Sequence, residues 1–111
     1  MNSEKTTLIV EPGVCRFTAK IECWMDEEMQ LRCSIQSGCK HVQQFAAELG
    51  QCDIMTPTKL PFSENKVYVV GGTTLVHATC PIPMAVLKGF EVAAGLGLKR
   101  DIIVKFQNDS P

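Results

Sequence analysis

Two neighbouring stretches of the chain alternate between apolar and polar residues and predict a β-hairpin. The stretches are 15–24 and 31–36, and their apolar members are Cys15, Phe17, Ala19, Ile21 and Cys23 in the first and Leu31, Cys33 and Ile35 in the second. A period of two is typical of strands with one buried and one solvated face. A hairpin folded about Glu27 places Cys15 opposite Cys39 and Ile21 opposite Cys33. It directs Cys23 and Cys33 inward, where free cysteine behaves as a small buried hydrophobe.

Helical spacing follows the hairpin and returns near the end of the chain. Apolar residues spaced as on one helix face run from Val42 to Leu49, and Gly50 ends this amphipathic helix. A second helix is predicted from Met84 to Leu96, where Lys88 and Glu91 form one narrow polar stripe.

Short strands are predicted on either side of these elements, at residues 6–10 and 102–106. Residues 66–76 lack clear alternation, which leaves helix, strand and loop open. The sequence therefore predicts one α+β domain over residues 1–111: a two-layer sandwich in which two helices cover one face of an antiparallel sheet of three or four strands.

Composition and charge narrow the function. The 111 residues are 45% hydrophobic with a net charge of -1, so the chain lacks the basic excess of nucleic-acid-binding proteins. Its apolar runs are far shorter than the roughly 20 residues that span a bilayer, and its first residues do not resemble a secretory signal. We expect a cytoplasmic protein with neither nucleic acid nor membrane as partner, and the apolar second helix suggests a homodimer.

Six cysteines are the strongest chemical signal. Cytosolic thiols stay reduced, so these cysteines are core residues, metal ligands or redox groups. Cys15 and Cys39 lie at the open end of the predicted hairpin beside Gly13 and Gly38, and a glycine neighbour lets a bound group approach closely. Cys39 and Cys80 open the two predicted helices, where the helix dipole favours thiolate, the form that binds metals.

A fourth ligand has two candidates. His77 precedes Cys80 by three residues, so an imidazole and a thiolate can share one ion from a single turn. Cys52, in the loop after the first helix, is the alternative. The candidate site is therefore Cys15, Cys39, His77 and Cys80, which suits tetrahedral zinc first and an iron–sulfur cluster second.

Several of these segments carry a family resemblance. Those quoted are Gly13-Val14-Cys15-Arg16-Phe17, Ser37-Gly38-Cys39, His77-Ala78-Thr79-Cys80-Pro81-Ile82-Pro83 and Glu91-Val92-Ala93-Ala94-Gly95-Leu96. Together they resemble a family of small uncharacterised proteins from anaerobic bacteria and archaea and, more distantly, the TSCPD domain. The TSCPD resemblance implies metal binding, with zinc as the expected metal, through Cys15, Cys39 and Cys80. Two departures bear on that metal chemistry: Ile82 replaces the acid of the TSCPD motif, and Lys40-His41 replaces its Gly-Asn pair.

The functional expectation is a small metal-binding protein, and whether it is an enzyme stays open. One alternative is a metal-free redox or nucleophilic protein, with Cys39 or Cys80 activated by a helix dipole and His77 as base. The other is a subunit that binds a partner protein and has purely structural cysteines.

Overall fold

The computed structural model describes residues 4–108, and its centre is a three-stranded antiparallel sheet. The strands, in spatial as well as chain order, are β1 (Thr6–Val10), β2 (Ala19–Met25) and β3 (Leu31–Ser37). Ala19 and Ile21 point into the core, whereas Lys20 between them is exposed. The sheet therefore has the one buried and one solvated face that the alternation predicts.

The register of the hairpin differs from the predicted one. Ile21 pairs with Ile35 rather than with Cys33, and Cys23 is the residue opposite Cys33. The cause is the turn, in which the Asp26 N–H donates to the Gln30 carbonyl at 2.9 Å, so the hairpin folds about residue 28 rather than 27. A later turn moves every opposed pair by two positions, which leaves each side chain on its predicted face.

The predicted pairing of Cys15 with Cys39 is also wrong. β2 begins only at Ala19, and Cys15 lies before it in a short 3-10 turn, Gly13–Cys15. Gly13 opens this turn at φ 84° and Arg16 closes it at φ 62°, both left-handed conformations that a strand does not contain. The alternation in the sequence therefore begins at Cys15, four residues before the strand itself begins at Ala19.

Three helices complete the fold: α1 (Lys40–Leu49), α2 (Lys66–Thr74) and α3 (Ile82–Ala93). α1 and α3 lie on the buried face of the sheet, and α2 packs on these two helices. The fully buried side chains between the layers include Ile21, Leu31, Phe45, Leu49, Val67, Val86 and Phe90. This is the predicted α+β two-layer sandwich. Its sheet has three strands, within the predicted number, and it has three helices where the sequence predicts two.

The additional helix occupies the segment whose conformation the sequence left open. Asn65 caps it: its side-chain oxygen accepts from the Val67 N–H at 3.0 Å, and its amide donates to the carbonyls of Thr56 and Lys59. Although Asn65 is only 2% exposed, its side chain is hydrogen-bonded at both ends. The cap joins the loop after α1 to the start of α2.

The predicted terminal strand at residues 102–106 is absent, and residues 101–108 have no regular secondary structure. Alternation describes which side chains share a face, but a strand also needs a partner for its backbone. Within residues 4–108 no strand pairs with this segment.

The stripe predicted on the last helix is present as the Lys88–Glu91 ion pair at 2.9 Å. None of the helices in the described part of the chain is both long and apolar enough to span a membrane.

Candidate metal centre

The segment before β2 contacts the residue that precedes α1 through Phe17 and Gly38. A β-carbon added to Gly38 would lie 3.2 Å from Cδ1 of Phe17, so the Phe17 ring covers the glycine that precedes Cys39. A side chain at position 38 would have to push the ring aside by a few tenths of an ångström, so glycine allows the close contact. The alternation of the sequence predicts only a strand position for Phe17 and does not reveal this contact. The Gly-Cys pair at a helix start is the signal that accompanies it.

Cys39 occupies the N-cap position of α1. Its backbone N–H donates to Oγ of Ser37 at 3.1 Å, and its carbonyl accepts from the Gln43 N–H at 3.0 Å. Its side chain is partly buried and packs against the core. The first N–H groups of a helix and its dipole favour an anion at this position.

Cys80 lies one residue before Pro81, which is the N-cap of α3. Its N–H donates to the His77 carbonyl at 3.1 Å, so residues 77–80 form a turn that ends at the helix. Burial raises the pKa of the Cys80 thiol, and the Ile82 N–H opposes this by bonding the sulfur. His77 is exposed on the same turn. The turn therefore presents an imidazole and a half-buried sulfur within three residues, as predicted.

Cys80 is the residue that relates the three predicted thiol ligands to one another. Burial is the main cause of its raised pKa, and Cys39 and Cys15 raise it further, so Cys80 lies within electrostatic range of both. We call Cys15, Cys39 and Cys80 the outer thiols. They come from three separated segments, and all lie where β2 begins and β3 ends. Among residues 4–108, no three His, Cys, Asp or Glu side chains lie together so that they could hold a metal ion.

Cys52, the alternative fourth ligand, lies at the other end of the sheet. It exchanges two backbone hydrogen bonds with Leu31, at 2.7 and 2.8 Å, and Leu31 begins the strand whose far end leads to Cys39. Six residues of extended chain separate the two ends of β3, about 20 Å at 3.3–3.4 Å per residue. Cys52 is therefore too distant to complete a site with the outer thiols.

The remaining cysteines form a second group, the inner thiols Cys23, Cys33 and Cys52. Burial is the main cause that raises the pKa of Cys33 to about 12 and of Cys52 to about 11, and it raises that of Cys23 further. These thiols are protonated at neutral pH. Cys23 and Cys33 are thus the core residues that the sequence predicts.

A small cavity lies next to His77 and Cys80. Its volume is about 310 Å³, and Tyr68, Gly71 and Pro83 also line it, between α2 and the start of α3. The volume is at the lower end of the range for small-molecule sites, roughly 300–1,000 Å³. Access to Cys80 is therefore from the side of α2.

Comparison with known proteins identifies the family of this chain but does not identify an activity. A family model described as a family of unknown function, DUF6951, matches residues 6–106. The chain belongs to this family. No curated protein and no solved structure matches the chain. Membership in DUF6951 agrees with the predicted resemblance to an uncharacterised family, and the matched range includes all three outer thiols and His77.

Proposed function

We propose that this member of DUF6951 binds a thiophilic metal ion, zinc in the first instance, through the outer thiols and His77. The observation that supports the proposal is the electrostatic influence of Cys15 and Cys39 on Cys80, although the three cysteines come from separated segments of the chain. Three thiolates repel one another, and a divalent cation is the species that reverses this repulsion. The likeness of Thr79-Cys80-Pro81 to the TSCPD motif supports the same interpretation.

The donor set fits zinc. Three sulfurs and one imidazole make a Cys₃His set, which is one of the tetrahedral sets that structural zinc occupies. Zinc binding deprotonates its thiol ligands and would link the turn before β2 to the starts of α1 and α3. No three candidate ligands in residues 4–108 are placed to hold an ion, so binding at these residues requires that the ligands move. Metal affinity and local stability are therefore coupled at this end of the protein.

A metal-free nucleophile is less well supported by the same residues. Reactive cysteines have a lowered pKa and are stored as thiolate, whereas burial raises the pKa of Cys80. A nearby cation would lower it. The raised pKa thus suits a thiol that becomes a thiolate when it binds a metal.

The test is metal analysis of the full chain purified without oxygen, since oxygen strips clusters and oxidises thiols. We expect about one zinc per chain, and Cys39→Ser and Cys80→Ser to weaken zinc binding at least about tenfold in competition with a chromophoric chelator. Cys33→Ala and His41→Ala are matched controls, one half-buried cysteine and one exposed histidine outside the site, and they should bind zinc as the natural protein does.

Each other outcome has a definite meaning. Iron together with acid-labile sulfide, lost in the same two serine variants, would assign the site to an iron–sulfur cluster instead of zinc. Full zinc binding by Cys39→Ser and Cys80→Ser would overturn the site. Less than about a tenth of an equivalent of metal, with no uptake when zinc is added to reduced protein, would overturn the metal-binding function.

A further inference from the structure

β1 forms an open edge of the sheet. Successive residues of an antiparallel strand direct their N–H and C=O groups to opposite sides. Leu31 directs both of its backbone groups to Cys52, away from β2. By alternation, its partner Met25, and with it Cys23, Ile21 and Ala19, direct theirs to β1. The β1 residues opposite these last three, Thr6, Leu8 and Val10, therefore direct their groups to β2. Those of Thr7 and Ile9 face outward. Within residues 4–108 no strand pairs with this edge.

The C-terminal segment, residues 101–108, passes this edge without joining it. Residues 98–104 line one side of a groove of about 640 Å³, and β1 and α3 line the other. The segment has the alternation of a strand but leaves large apolar side chains in water: Ile103 is 71% exposed, Val104 89%, and Phe106 fully. Burying a side chain of this kind stabilises by roughly 1.5–3 kcal/mol.

The matched family range reaches Phe106, so the exposed segment is part of the sequence shared by DUF6951. An apolar segment of strand-like pattern and an unpaired strand edge are complementary surfaces of the same chain. Either one alone exposes backbone or apolar groups that a partner would satisfy.

A second copy supplies the partner better than the same copy does. In its own chain the exit from α3 fixes where the segment passes β1, and there it forms no ladder. The complete exposure of Phe106 shows that the segment ends away from its own body, and the molecule measures 55 Å in one direction against 29 and 28 Å in the others. In another copy this constraint is removed, because the receiving edge is free to move into register.

Charge agrees with such an exchange. Glu11 follows β1, while Lys99 and Arg100 precede the exposed segment. Antiparallel addition that sets residue 102 opposite Leu8 of the other copy places Lys99 opposite Glu11, and it keeps Ile102 on the inward face with Leu8. Opposite charges at the end of a ladder favour this register over its neighbours.

We propose that residues 102–106 of one copy add as an antiparallel strand to the free edge of β1 in a second copy, and reciprocally, to form a twofold homodimer. Each sheet then has four strands, the fourth supplied by the other protomer. The surface differs from the predicted one, the apolar last helix, because α3 buries Val86 and Phe90 in its own core. The proposal is independent of the metal site.

The experiment measures the molar mass of the full chain by light scattering after size exclusion, over a range of concentrations. The expected mass is twice the 12.2 kDa of one chain. Ile9→Pro removes an outward N–H without breaking an existing ladder bond, and Val104→Asp places a charge in the added strand. Each should raise the dimer dissociation constant at least about tenfold, whereas Val69→Asp, an exposed valine of α2, should leave it within about threefold.

A mixing experiment tests the pairing itself. Ile9→Pro keeps an intact segment and Val104→Asp keeps an intact edge, so the two monomeric variants should associate with each other although neither associates with itself. Circular dichroism of each variant confirms folding, and because the two act on different surfaces, a defect in one leaves the other informative.

Three results would overturn the proposal. A monomer at all concentrations would exclude the dimer, and a dimer unchanged in both variants would place its interface elsewhere. A monomer whose Thr7 and Ile9 amides are protected from hydrogen exchange, with protection lost on removal of residues 101–111, would show that the segment pairs within its own chain.

Discussion

Replacement of Gly89 by alanine tests how closely α3 packs on the sheet. A β-carbon at this position would lie 2.6 Å from Sγ of Cys23 and 2.8 Å from Cδ1 of Leu8. Neither distance is tolerated, so side chains or the helix must move. The contact matters for the candidate site because α3 carries Cys80 at its start.

The size of the effect follows from two opposing contributions. Overpacking a core by one carbon costs about 1–3 kcal/mol, whereas glycine-to-alanine exchange inside a helix gains up to about 1 kcal/mol. We therefore expect Gly89→Ala to lower the free energy of unfolding by about 1–2 kcal/mol, which corresponds to a fall in Tm of about 4–8 °C for a chain of this size. Urea denaturation with an unchanged m-value measures it.

A second substitution identifies the clash as the cause. Cys23→Ala removes the sulfur that lies nearest to the added carbon, so the double variant should be more stable than the sum of the two single effects predicts, by about 1 kcal/mol. Strict additivity, or a Gly89→Ala protein as stable as the natural one, would refute the packing argument. Such a result would mean that α3 lies farther from β2 than the contact distances indicate.

Two further predictions concern buried polar groups. In the folded state the pKa of Cys33 and of Cys52 lies above the ordinary thiol value of 9.0, so above pH 9 the folded state binds more protons than the unfolded state. The free energy of unfolding should therefore be full below pH 9 and fall between pH 9 and about 12. The fall should be shallower for Cys33→Ala in urea titrations at several pH values, and a pH-independent stability would contradict it. Asn65→Asp keeps the acceptor that caps α2 but sets a buried carboxylate oxygen against the two carbonyls that the amide bonds. It should therefore cost at least as much as Asn65→Ala, for which we expect about 2–3 kcal/mol. A much smaller loss for Asn65→Asp in thermal unfolding would show that the two donated bonds contribute little.

The fold was predictable where local pattern and tertiary structure agree. The hairpin, α1 and α3 follow from periodicity, because each buries one face against the same core. The helix at residues 66–74 was not, since it contains Gly71-Gly72 and has little amphipathic character. It forms because Asn65 caps it and because α1 and α3 both pack on it, neither of which a local pattern contains. The prediction of a strand at 102–106 is wrong for the converse reason. The alternation is clear, but within residues 4–108 no strand forms backbone hydrogen bonds with this segment.

The candidate site was predictable because its cysteines stand at the ends of elements. A thiol just before a strand and a thiol just before the helix that follows the paired strand must lie at the same end of a hairpin, whatever its register. Cys15 and Cys39 therefore lie at the same end of the hairpin although their predicted pairing is wrong. The position of Cys52 depends instead on the path of a loop, which its two bonds to Leu31 carry to the opposite end of the sheet. Topology therefore divides the six cysteines into two groups of three, and the outer group, with Cys39 and Cys80 before helices and Cys15 exposed, is the one that we propose as metal ligands.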